Sequence, residues 1–334
     1  MSILDSSEAG ASQDRQTCDD LDATLRHYTK DLGYAVDEVF PADAPRIVVI
    51  SRDGHSIRLE QALTGTTRGN RDADGASFVR QADTGSWNIG RAGMQYRDLI
   101  PDRLGGRVIA SHIRIPDGGP VPDYVHYHHV QFQMIYCAKG WVRVVYEDQG
   151  PSFVMHAGDC VLQPPMIRHR VLECSDGLEV IEIGSPAEHR TLADRSTGLP
   201  TRSIDRDRQF GGQRFVFHES AAADWHAGPA PGFEFRDTGI EEATAGVGSA
   251  IVMRASNPGE QLAISDGDGF QFHMLLCGSA LLATDRGENW KLSTSDSFAI
   301  PPGIRAVLEP DDDALEVLRV ALADLPAKAP TVVA

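Results

Sequence analysis

No apolar run in this chain approaches the ~18 consecutive residues that span a bilayer. The first twenty residues, MSILDSSEAGASQDRQTCDD, have neither a basic segment nor an apolar core, so a secretory leader is not expected and a cytoplasmic location is. Cysteine is scarce: Cys18, Cys137, Cys160, Cys174 and Cys277 form no CxxC pair, and an odd count argues against a disulfide framework. They read as reduced thiols that pack mostly as small hydrophobes. Basic residues are outnumbered 31 to 48, for a formal charge of −17, and nowhere gather into a stripe. Nucleic acid and anionic membrane surfaces are therefore excluded as expected partners.

What is present is an ordinary globular composition, 41% hydrophobic and 24% charged, over 334 residues, enough for more than one core. The chain also repeats itself. SWNIGRAGMQYRDL from Ser86 is echoed by DWHAGPAPGFEFRD from Asp224, and VQFQMIYCAKG from Val130 by FQFHMLLCGSA from Phe270. DCVLQPPMIRHRVLE from Asp159 is echoed by DSFAIPPGIRAVLE from Asp296, and GLEVIEIG from Gly177 by ALEVLRVA from Ala314. The four echoes keep their order at a spacing of about 140 residues, so one unit occurs twice. Each unit consists of short Val, Ile, Phe and Tyr runs broken by Gly, Pro and Asp, the pattern of antiparallel strands closed as a sandwich or barrel.

The predicted organisation is an N-terminal module over 1–63, a linker over 64–84, a first barrel over 85–200, an inter-repeat segment over 201–222 and a second barrel over 223–326. In the N-terminal module, Leu21, Leu25, Tyr28 and Leu32 share one helical face after an Asp-rich start, and Gly33 stops the helix. Strands follow in RIVVIS and HSIRLE. LDATLRHYTKDLGY with HSIRLE resembles one βαβββ module of the vicinal oxygen chelate (glyoxalase-like) family, in degenerate form. Glu60 falls where that family places a metal carboxylate and is read here as structural.

The stretch VHYHHVQFQ holds the chemistry. His126 and His128 have the same parity on an extended strand, so both side chains leave one face, expected to be the barrel interior. Some forty residues on, GDCVLQPPMIRH delivers His169. Two imidazoles at i, i+2 with a third from a distant strand suit a facial set around a divalent metal, with positions left open. Polar alternation on a strand is the plainer explanation of HxH alone. His129 has the opposite parity, and His112, His156 and His189 read as surface or hydrogen-bonded histidines.

These motifs resemble the cupin superfamily. Gly119, His126, His128, Gln133 and Gly140 follow its first motif, and Gly158, Pro164 and His169 its second. With the repeat, the resemblance covers about Ser86–Asp324 and implies a mainly β fold of two cupin (double-stranded β-helix, jelly-roll) barrels behind a small α+β module. Gln133 stands where the family has Glu, and Met166 where it has Gly. In the second repeat, alignment of the echoes puts Asp266, Asp268 and His273 at the places of His126, His128 and Gln133, and Ala306 at that of His169. One metal per chain is expected, in the first barrel, with the second as scaffold.

An amide at Gln133 brings no charge, so the metal keeps its own and favours a small anionic chelating substrate. Imidazole suits iron(II), Fe(II), as well as manganese, nickel, zinc or copper. Three-histidine iron cupins of the gentisate and diketone dioxygenase kind imply O2-dependent cleavage of an anionic aromatic or dicarbonyl compound, with Gln133 at the catalytic centre. Tyr136, Arg143 and Arg168 are candidates for substrate contacts, the arginines through bidentate pairing with a carboxylate. A surface salt bridge is the alternative for each arginine. A redox-neutral lyase, isomerase or hydrolase and a non-enzymatic ligand-binding bicupin are the other readings. A homo-oligomer is compatible with the long inter-repeat segment, which could cross a neighbouring surface.

Overall fold

Alternating apolar runs become strands as expected, and the computed structural model is mainly β. It describes residues 13–62, 77–79, 87–228, 230–256, 260–266, 269–311, 314–323 and 325. Two barrels follow one another, each a pair of facing antiparallel sheets. In the first, one sheet runs Val216–His218, Cys160–Leu162, Phe132–Lys139, Leu178–Ser185, Ile109–Ile115, Gln95–Asp98 and Asn88–Ile89. The facing sheet carries His126–His128, His169–Cys174, Trp141–Tyr146 and Phe153–His156. The second barrel repeats the plan, with Phe270–Cys277 and Glu316–Leu322 at the places of Phe132–Lys139 and Leu178–Ser185.

The repeat extends to details outside the strand cores. Trp87 lies between the guanidinium groups of Arg97 and Arg114, 4.7 and 4.0 Å from the ring centre. Trp225 lies between Arg236 and Arg254 at 5.0 and 4.1 Å. The barrels meet back to back: Phe132, Met134 and Tyr136 pack in one buried cluster with Phe270, Phe272 and Met274. Removing that much aromatic and aliphatic surface from water, at ~25 cal/mol per Å2, ties the two units into one body.

Ladder register corrects the alignment of the repeats. Ile135 pairs with Glu182 and Val161, whereas His273 pairs with Arg319 and Phe298. His273 therefore corresponds to Ile135, and the counterpart of Gln133 is Gln271, two residues from the expectation. His126 pairs with His169 and Ser265 with Ala306, so Ser265 takes the place of His126. Asp268 and the side chain of Asp266 lie outside the described residues.

The N-terminal unit is a strand, a helix and three strands. Asp20 caps the helix Leu21–Arg26, its Oδ1 accepting from Ala23 N at 2.8 Å. Leu21 is buried, with Leu25 and Tyr28 against the same core. Leu32 was expected on that face but is exposed, because His27–Asp31 is wound as a wider π turn that rotates it away. The strand Gln13–Cys18 runs parallel to His55–Gln61. Ala35–Phe40 pairs with Thr191–Ala193, so this sheet continues into the first barrel, reinforced by Arg190 to Glu38 at 2.6 Å. Glu60 pairs with Arg58 and Arg15.

Most of the expected linker over 64–84 lies outside the described residues, but Ser77–Val79 forms a strand against Ser297–Ile300. The inter-repeat segment is used within its own chain. Val216–His218 pairs with Cys160–Leu162, and Phe217 stacks on Phe153 at 4.3 Å, covering the first barrel.

Candidate metal centre

His126 and His128 stand two apart on one short strand, and His169 opens the strand paired to it, directly opposite His126. Their ring centres are 4.2 Å apart for His126 and His169, and 5.1 Å for each remaining pair. One nitrogen from each ring lies within 4.8 Å of the others. Two backbone devices bring His169 in. His156 N donates to Asp159 Oδ2 at 2.8 Å around the Gly158 turn, whose φ of +97° suits glycine. Past Pro164 and Pro165, Met166 occupies the left-handed region at φ +68°, and its N–H donates to the carbonyl of His128 at 3.1 Å. The Met at this glycine position is thus a strained residue, costing about 1–3 kcal/mol, at the joint between the two ligand-bearing segments.

Each ring is oriented by its Nδ1. That of His126 donates to the carbonyl of Tyr124 at 2.8 Å and that of His169 to the carbonyl of Ile167 at 3.0 Å. The Nδ1 of His128 bonds Thr191 Oγ1 at 2.9 Å. With Nδ1 engaged, Nε2 is left for a ligand, and His126 Nε2 is buried with no partner. Such bonds to the far nitrogen are the usual support of metal-ligating histidines. Burial holds His126 and His128 well below the ordinary imidazole range and takes His169 down to about 4. All three are neutral near pH 7, the form that coordinates.

Beyond the cluster, the barrel encloses a cavity of about 80 Å3, room for several waters, where one needs ~10–15 Å3. Its walls are mainly aliphatic, among them Ile113, Ile135, Val142 and Val144. Polar groups reach it at Arg91, Tyr146, Gln163 and Glu182. Tyr146 stacks on His169 at 5.4 Å and donates its hydroxyl to Gln163 Oε1. Arg91 pairs with buried Asp123, whose Oδ2 also accepts from Val171 N at 2.9 Å. Arg91 Nε has no partner.

The other candidates fall differently. Gln133 is buried and points inward like Ile135, and its Nε2 donates to Glu182 Oε1 at 3.2 Å. Arg143 faces out, paired with Glu173 at 2.6 Å, because Val142, Val144 and Tyr146 take the inward parity of its strand. Arg168 pairs with Asp194 at 2.9 Å and lies over Tyr127, away from the cavity lining. Tyr136 is on the opposite face of its strand from Ile135, within the core between the barrels. His112 and His189, expected at the surface, are buried: His112 between Arg97 and Glu179, His189 with its ring 5.4 Å from His128. His129 and His156 are exposed.

Nothing local in the sequence marks Arg91, Asp123, Tyr146 or Gln163. Glu182 does carry a sequence signal, a charge at the inward parity shared by Leu178 and Val180. In the second barrel, Phe298, Ile300, Ile304 and Ala306 join a buried apolar cluster, and buried His273 stacks on Phe298 at 4.7 Å.

Residues 111–183 match the cupin domain family model. That span includes all three clustered histidines. Over most of the chain, solved structures of bicupins share its fold. Salicylate 1,2-dioxygenase from Pseudaminobacter salicylatoxidans aligns with a TM-score of 0.52 at 17% identity, over 66% of this chain and 72% of that one. Lactobacillus farciminis oxalate decarboxylase, in a formate complex, aligns with a TM-score of 0.56 at 12% identity, over 78% and 87%. Escherichia coli protein Ylba aligns with a TM-score of 0.53 at 9% identity, over 77% and 93%. Such identities establish the cupin fold alone. The glyoxalase-like resemblance of the N-terminal unit finds no support among these matches, and no curated protein matches the chain.

Proposed function

We propose that this bicupin is a metal-dependent oxidoreductase, an iron(II) dioxygenase acting on a small anionic compound, with its metal held by His126, His128 and His169. The observation that carries this reading is the set of three buried, neutral imidazoles with one nitrogen of each converging and no carboxylate in the set. A metal bound there keeps its full charge and open positions, and supplies Lewis acidity or oxygen chemistry. The protein's part is to orient the rings through Nδ1, exclude water with aliphatic walls, and hold the substrate body against them. Salicylate and oxalate, named for two of the similar structures, are small carboxylic acids, the chemistry such a centre suits. Among the described residues, Arg91 lines the cavity and Arg143 and Arg168 do not, which makes Arg91 the candidate partner for a substrate carboxylate.

The test is metal analysis of anaerobically purified protein followed by oxygen uptake with a panel of salicylates, dihydroxybenzoates and β-diketones. Iron with substrate-dependent oxygen consumption supports the reading. Substrate turnover without oxygen, on zinc, manganese or nickel, replaces it with a redox-neutral cupin.

A further inference from the structure

The two barrels share an interior glutamine and differ beside it. Gln133 and Gln271 occupy equivalent places, both buried and each with an Oε1 lacking a hydrogen-bond partner. Diagonally across on the next strand, opposite Ile135 and His273, stand Glu182 in the barrel with the histidine cluster and Arg319 in the barrel without it. The glutamine thus belongs to the shared scaffold, and the carboxylate goes with the metal centre. Glu182 lines the cavity together with His169.

We propose that Glu182 is the proton acceptor of this cavity: it takes the proton that leaves a substrate O–H when that oxygen ionises beside the histidine cluster, and Gln133 positions it. The inference rests on the open-site reading above. Bookkeeping is simple: the substrate O–H bond breaks, a Glu182 carboxyl O–H forms, the electron pair stays on the substrate oxygen, and net charge in the cavity is unchanged. A chelating anion can then form without releasing a proton to bulk water through apolar walls.

Burial raises the Glu182 carboxyl to about 7, with the Gln133 hydrogen bond acting in the opposite direction. Facing it are Tyr96 and Tyr146, both pushed above the ordinary phenol range by burial, Arg91 in its pair with Asp123, and Asp43 from the N-terminal unit in its pair with Arg103. Glu182 is accordingly placed to change protonation state near neutral pH.

Acetohydroxamate tests this directly, because it is small, carries its O–H proton at neutral pH and chelates as the anion. Protein loaded with cobalt(II) is titrated at about pH 8 by calorimetry in two buffers of different ionisation heat, with the visible cobalt bands reporting coordination. The wild type should bind with close to zero protons released, and Glu182→Gln with close to one. Glu182→Leu should behave as Glu182→Gln, and serves if that variant does not fold. Equal proton release in wild type and variants overturns the proposal. No change in the cobalt bands with any protein refutes the open-site reading itself, a distinct outcome.

Discussion

His126 and His169 face each other across one antiparallel pair, so a single backbone register sets the spacing of two rings 4.2 Å apart. His128 is added by parity on the same short strand, and Thr191 from the next strand fixes its ring. The centre is therefore built into the sheet. Its geometry should survive changes in the exposed loops.

Glu182 makes the metal-free protein pH-sensitive. Its folded carboxyl titrates at about 7, above the ordinary unfolded value of ~4.3, so the folded state holds the proton more tightly. Below about pH 4 the group costs nothing; as pH rises from there to about 7, stability falls, and above 7 the full penalty of ~3–4 kcal/mol remains. Glu182→Gln should abolish this slope and be more stable than wild type at pH 8, as read by urea unfolding across pH.

Gln133→Glu would put a second carboxylate within hydrogen-bond reach of Glu182, where the amide now stands at 3.2 Å. The two must share one proton at neutral pH. Unfolding at pH 8 should show a loss of ~1–3 kcal/mol that shrinks at pH 5. Metal affinity should hold or rise, while affinity for an anionic ligand falls tenfold or more.

Arg91 and Arg143 separate a buried charge from a surface one. Arg91→Met leaves Asp123 buried and unpaired and should cost ~3–5 kcal/mol. Arg143→Ala removes a half-exposed pair with Glu173 and should cost under ~1 kcal/mol, with metal binding unchanged. Chemical denaturation of the two variants side by side checks the contrast. A large loss at Arg143 would place it in the interior after all.

The sequence made the doubled β architecture and the histidine triad legible, because repeats and strand parity are one-dimensional signals. It misjudged the second barrel for a reason in the same physics. Side chains alternate with a period of two, so a slip of two residues leaves every residue on its correct face. The shared letters QF, at 131–132 and 271–272, invited that slip, and only the ladder shows His273 beside Phe298 at the level of Ile135. Arg143 was a parity choice between two faces, settled by Val142 and Val144 lining the cavity. Arg91 comes from a turn 35 residues before His126, and no local pattern links them. Glu182 was readable, as the single charge at the inward parity of LEVIEIG, but it looked like one more polar residue in a strand.

The most direct test of the account is metal stoichiometry. Purified protein, stripped and reloaded with iron(II) or cobalt(II) under anaerobic conditions, should retain one equivalent per chain by elemental analysis after desalting. His169→Ala should retain close to none while keeping the fold, and His273→Ala should retain one, since His273 stacks on Phe298 and belongs to no ligand cluster among the described residues. Two tightly held equivalents, or an undiminished one in His169→Ala, would contradict a single centre built from His126, His128 and His169.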